Sequence, residues 1–256
     1  MTPGDATQDL FSIQDHTGAS HGGTPTYAWN PNLFLFAQAG KGLVAVAGLT
    51  AVSPWNSANG VQYNVTALTR QHVAVAHHTG LPACTVRFIA LDGTVVNRSM
   101  STPVQVGDTD IAIGQLDSPL PSNIESIQVM PPNYAAYHDE NNRVAAVVIL
   151  GGAAAHQNKV ATVKEVANTD SIAIMTYTPL DSNRLLYSYS DAISGDSGNP
   201  FFVIWKGSLV LMGLLWLAGT DLQESPTYFA NISAINAILA GMGSTERLSV
   251  VNLNTA

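Results

Sequence analysis

From about residue 32 onward the chain is a succession of short, strand-like apolar runs, each closed by Gly, Pro, Asn or Asp. They include "LFLFAQA", "LVAVAGLTAV", "YNVTALT", "HVAVAHH", "CTVRFIAL", "TVVNRSM" and "DIAIGQL", and after residue 143 "RVAAVVILGG", "KVATVKEVA", "SIAIMTYT", "LLYSYS", "PFFVIW" and "LVLMGLLWL". Many short strands with turn residues between them are the signature of an all-β sandwich or barrel. Lys206-Gly207-Ser208 reads as the turn of a hairpin between the last two runs. Only "NISAINAILAGM" departs from this pattern: Ile232, Ile235, Ile238 and Leu239 recur at helical spacing.

These runs fall into two series of similar size. We read residues 1–31 as an N-terminal arm, 32–130 as a first β-unit, 131–143 as a linker and 144–230 as a second β-unit. Residues 231–256 are the C-terminal helix and tail. The linker holds two prolines and a polar cluster, "PPNYAAYHDENNR". The longest apolar run, Leu209 to Ala218, is too short to span a bilayer.

Composition excludes several classes. Charged residues are 11% of the 256 and apolar residues 46%, which fits a packed globular chain rather than a disordered one. A net charge of −8 gives no basic face for nucleic acid or an anionic membrane. Cys84 is the only cysteine, so no intrachain disulfide forms. The polar start, "MTPGDATQDLFSIQDHTGASHGG", lacks the basic and apolar regions of a signal peptide. His16, His21 and "HDEN" (138–141) do not make a recognisable metal motif, and no cofactor is implied.

One stretch interrupts the strands in a way that points to chemistry. In "SDAISGDSGNPFF", Gly195-Asp196-Ser197-Gly198 places a serine between two glycines just before an apolar strand. Glycines in a strand context mark a tight bend or a close approach. A serine nucleophile needs a base to take its proton and an acid to hold that base in one tautomer. The histidine candidates are His77 and His78 at the end of "HVAVAHH". The acid candidate is Asp110, immediately before "IAIGQL", with Asp108 as its competitor. Chain order is therefore His, Asp, Ser, whereas an α/β-hydrolase runs Ser, Asp, His and carries G-x-S-x-G. Asn199 breaks that second motif.

With these three motifs in this order, the chain resembles the trypsin/chymotrypsin-type serine peptidases. "GDSG", "HVAVAHH" and "DIAI" match that family's nucleophile, base and acid segments over roughly residues 45–240. The resemblance implies two six-stranded antiparallel β-barrels with a C-terminal helix, a polypeptide substrate, and Ser197, His78 and Asp110 as the catalytic residues. Aligning His72-Val73 with the family's H-V puts His78 at the base position, while counting back from the small-residue run favours His77. Strand geometry would turn these two neighbours to opposite faces. The backbone amides of Gly195 and Ser197 are implied as the oxyanion hole. Asp196 would be a carboxylate needing a partner, with Arg143 and Arg184 as candidates. Asp191 falls at the base of the family's specificity pocket, and Leu217 and Ala218 on its wall. An acid there favours cleavage after Arg or Lys. The methyl of Ala218 and the missing disulfide favour small or medium apolar residues instead. The alternative function is a catalytically silent member of the same fold, used as a binding or structural module.

Overall fold

The computed structural model describes residues 12–13, 34–38, 42–45, 47–53, 65–90, 92, 94–133, 143–149, 159–164, 171–176, 197–206, 208–218, 223–226 and 228–253. The first half contributes β1 (Ser12–Ile13), β2 (Phe34–Gln38), β3 (Gly42–Ala45), β4 (Thr66–Ala67) and β5 (His72–Ala76). They are followed by β6 (Cys84–Ile89), β7 (Val95–Met100), β8 (Val104–Gln105) and β9 (Ile111–Gln115). The second half contributes β10 (Gln128–Val129), β11 (Arg143–Ile149), β12 (Lys159–Lys164), β13 (Ser171–Thr176), β14 (Pro200–Trp205), β15 (Ser208–Leu214), β16 (Leu217–Ala218) and β17 (Gln223–Pro226). One helix, α1 (Ile232–Gly241), follows.

The expected strand-rich architecture is present, mostly β with one helix among the described residues, and it is consistent with a chymotrypsin-like fold. Two closed six-stranded barrels are not traced among the described residues. β1-β2-β3 form one sheet, β4-β5-β9-β8 a second and β6-β7 a hairpin. The second half is one eight-stranded sheet in the order β10-β15-β14-β11-β12-β13-β17-β16. Among the described residues neither half closes on itself. The end strands β10 and β16 are two residues long, too short to zip a seam, and β10 joins β15 in parallel rather than antiparallel.

β14 and β15 form the expected hairpin, with six paired positions from Pro200↔Leu214 to Trp205↔Ser208. Lys206 turns it with φ 50, a left-handed conformation that a non-glycine residue adopts only at a tight turn. Phe201, Phe202, Val210, Leu211 and Met212 are fully buried there, each contributing about 1.5–3 kcal/mol over an exposed position. They join Val73, Phe88, Ile111, Ile113 and Leu116 from the first half in one core.

Helix α1 buries Ile235 and Leu239, with Ile232 and Ile238 packed at the core's margin, as the helical spacing requires. It stops in a left-handed glycine, Gly243 (φ 79), with Ser244 N–H donating to Leu239 O and Gly243 N–H to Ala240 O. That pair of bonds is the Schellman closure, which satisfies carbonyls the helix end would leave open. The tail then returns to the first half: Val129 N–H donates to Ser249 O at 2.8 Å, and Val251 N–H donates to Val129 O at 3.0 Å. Among the described residues no helix is long and apolar enough to cross a membrane.

Candidate active site

Strand register brings the paired histidines and Asp110 together. β5 and β9 pair antiparallel with Ala76 opposite Ile111, so whatever follows β5 meets whatever precedes β9. The ladder runs one step further, with His77 N–H donating to Asp110 O at 2.8 Å. The chain then leaves the strand. His77–Thr79 is a single 3₁₀ turn, closed by Gly80 at φ 60 and by Thr79 Oγ1 donating to Ala76 O. The two histidines therefore stand on a turn, not on a strand as the sequence suggested. Thr79 and Gly80 end the strand because the hydroxyl binds the last carbonyl and glycine accepts the left-handed backbone.

That turn aims His78 at Asp110 twice. The His78 backbone N–H donates to Asp110 Oδ1 at 2.6 Å, and His78 Nδ1 meets Oδ2 at 2.7 Å. A carboxylate can only accept, so Nδ1 carries the proton and Nε2 presents its lone pair. Ser197 Oγ lies 2.7 Å from that Nε2 and donates to it. The Asp110 side chain is 7% exposed and the imidazole 37%, so the acid is sheltered while the base is open to solvent.

Ser197 owes its place to the β14–β15 hairpin. Gly198 N–H donates to Leu215 O at 2.9 Å and Leu215 N–H to Asn199 O at 2.8 Å, extending the ladder to the residue beside Ser197. Gly198 has φ 84, so the bend after the serine needs a residue free to adopt a left-handed conformation. The serine is half-buried at the tip of that bend.

His77 turns elsewhere. Its exposed ring lines a pocket of about 300 Å³ with Val75, Leu81, Pro82, Pro103 and Ala112, away from Ser197. Asp108 is on the exposed turn before Thr109 and makes no side-chain hydrogen bond to either histidine among the described residues. Gly195, Asp196, Asp191, Arg184, His16, His21 and residues 138–141 lie outside the described residues. Arg143 begins β11, and Leu217 and Ala218 form β16 opposite Glu224 and Gln223, so their backbones alone are described. Among the described residues no group of three His, Cys, Asp or Glu side chains is arranged to hold a metal.

Two residues near the site carried no sequence signal. Trp216 follows Leu215 and is 44% exposed, although inside "LLWLAG" it reads as one more core residue. Tyr228 is fully buried, and its hydroxyl meets no hydrogen-bond partner among the described residues. Burial, and secondarily the charge of Asp110, hold its phenol well above the usual tyrosine range. A third ionisable group, His72, lies at the far end of β5. Its Nδ1 is 2.8 Å from Thr69 Oγ1 and 3.3 Å from Glu246 Oε2, and burial lowers its pKa against the opposing pull of Glu246.

No family model matches this chain, and no curated protein matches it. Among solved structures it is similar to kallikrein-related peptidase 10. That match has a TM-score of 0.53 at 16% identity, covering 73% of this chain and 93% of the other. The fold is trypsin-like. At that identity the likeness is one of fold alone.

Proposed function

We propose that this trypsin-like chain is a serine endopeptidase that hydrolyses peptide bonds through an acyl-enzyme on Ser197. The observation that carries the reading is the continuous relay from Asp110 through His78 to Ser197, made of three contacts between 2.6 and 2.7 Å. In the proposed reaction Ser197 Oγ attacks the scissile carbonyl while its proton passes to His78 Nε2. The same proton then goes to the leaving amine as the C–N bond breaks, and water, deprotonated by His78, releases the acid and regenerates Ser197. Asp110 stays ionised, holds the neutral ring in its Nδ1–H tautomer and stabilises the imidazolium that forms. The amides of Gly195 and Ser197 are the proposed donors to the oxyanion.

Asp191, Leu217 and Ala218 are the proposed specificity-pocket residues, with preference for Arg or Lys before the scissile bond. A mixed peptide library reads this part separately. A preference for apolar residues that survives Asp191→Ser would refute it and leave the catalytic reading intact.

The test of the catalysis is labelling with a fluorophosphonate near pH 8, followed by intact mass and peptide mapping. One adduct on Ser197, lost in Ser197→Ala, is expected. A folded protein that takes up no label would make it a silent binding or structural module of the same fold.

A further inference from the structure

His72 is a buried ionisable group with no part in the proposed chemistry. It opens β5, at the end away from His78. Its side chain is fully buried, while that of Glu246, from the tail that follows α1, is 33% exposed. Among the described residues His72 Nε2 meets no hydrogen-bond partner.

The surrounding bonds decide which nitrogen holds the proton. Thr69 Oγ1 accepts from the backbone N–H groups of Gln71 at 3.2 Å and His72 at 3.1 Å. It gives its single proton to Glu246 Oε2 at 2.6 Å. His72 Nδ1 lies 2.8 Å from that hydroxyl oxygen and 3.3 Å from the same carboxylate oxygen, so it too must donate. The neutral ring is therefore the Nδ1–H tautomer, and Nε2 is a bare lone pair. Protonation would put a charged N–H where no acceptor stands among the described residues, which costs more than an unpaired lone pair. Burial accordingly lowers the pKa, and Glu246 only partly offsets it. The other charged groups nearby turn away. Arg70 directs its guanidinium to Leu120 O, and Arg247 to the carbonyls of Ser244 and Glu246. Gln115, opposite His72 on β9, is uncharged, and α1 has no ionisable residue.

The same neighbourhood fastens the tail. Gln115 Nε2 donates to Met242 O at 3.3 Å, and Arg70 N–H donates to Glu246 Oε1 at 3.3 Å. The end of α1 and the start of the tail thus lie against the start of β5. Beyond Glu246 the tail is held by the backbone bonds at Val129 and by burial of Leu248 and Val251.

We propose that His72 and Glu246 form an acid-sensitive latch for the C-terminal tail. Proton uptake at Nε2 favours an open form in which residues 244–251 leave the β4–β5 turn and the ring reaches water, while the sheets stay folded. A terminal segment with few buried apolar residues is where such local opening costs least. The open form binds the proton at the ordinary histidine value and the closed form does not, so acid shifts the equilibrium towards opening. This device does not depend on the catalytic reading.

Amide hydrogen exchange of the full chain at pH 7.5 and 5.5, with intrinsic exchange divided out, tests the latch. A ring that binds its proton at about 6.5 only when open raises the opening constant roughly tenfold across that range. The amides of Arg70, Val129, Leu248 and Val251 are expected to lose that much protection, while those of the β14–β15 ladder keep theirs. His72→Gln is expected to abolish the response. Unchanged tail protection would overturn the proposal, as would loss of the tail and the β14–β15 ladder together, or a response that survives in His72→Gln. If that variant does not fold, the ¹⁵N shifts of the wild-type ring decide. A bare Nε2 that takes up its proton only below pH 6.5 is expected, and a ring protonated on Nε2 at neutral pH refutes the latch.

Discussion

Asp110→Asn isolates the tautomer argument, because it removes a charge and keeps the shape. Asp110 Oδ1 accepts from the His78 backbone N–H at 2.6 Å, a donor that cannot be reversed. The asparagine must therefore keep its carbonyl oxygen there, which turns its NH₂ towards His78 Nδ1, now 2.7 Å from an acceptor. Two donors cannot share that contact, so the ring takes its proton on Nε2. In that tautomer Nε2 can no longer accept from Ser197 Oγ across their 2.7 Å contact. The flipped amide would instead set its NH₂ against the His78 backbone N–H in a site 7% exposed, an unpaired arrangement costing about 1–3 kcal/mol. Loss of the correct tautomer in a serine–histidine–aspartate triad costs about 10⁴-fold in kcat, or about 5.5 kcal/mol of barrier. The assay is the second-order rate of fluorophosphonate labelling near pH 7, beside kcat on a peptide substrate, with circular dichroism to verify folding. A folded variant that labels within tenfold of wild type would refute the argument.

Replacing the two adjacent histidines separates their roles. His78→Ala should cost on the order of 10⁴-fold or more in turnover, and His77→Ala far less, because His77 lines a separate pocket; kcat for each folded variant checks this, and the reverse order would reject the assignment. His72 makes stability pH-dependent. Its pKa is lowered by burial from an ordinary 6.5, so the unfolded chain binds the proton first and stability falls as pH drops below about 6.5 towards the lowered value. Urea unfolding at pH 7.5, 6.5 and 5.5 should show that loss, and a flatter profile in His72→Gln; equal slopes would refute it. Gly114→Ala should destabilise by about 1–3 kcal/mol through overpacking, since a Cβ there would lie 2.5 Å from Met100 Sδ and 3.3 Å from Val73 Cγ2. In a Met100→Ala background, itself less stable, the same glycine change should cost less in thermal unfolding, and an unchanged cost would mean the clash lies elsewhere.

What could be read along the chain was whatever is local. The helix at Ile232–Gly241 was legible because burying Ile235 and Leu239 on one face imposes a repeat that survives in one dimension. The β14–β15 hairpin was legible because a turn residue at Lys206 separates two long apolar runs. The serine, its flanking glycines and the Asp before "IAIGQL" announced themselves for the same reason: a sharp bend and a strand entry are decided by neighbouring residues.

Other features were decided only by the folded chain. Strands β8, β10 and β16 have two residues each, and such pieces exist only because a partner strand arrives beside them. The family resemblance implied two closed barrels, but closure depends on which edges meet, no residue encodes its partner, and closure is not traced among the described residues. The alignment of His72-Val73 favoured His78 over its neighbour, but what aims His78 at Asp110 is tertiary: Ala76 stands opposite Ile111 and the chain goes into a 3₁₀ turn at His77. Tyr228 and Trp216 look alike in sequence, aromatic residues near apolar runs. One is sealed in the core and the other is 44% exposed, because exposure belongs to the packed surface and not to the residue.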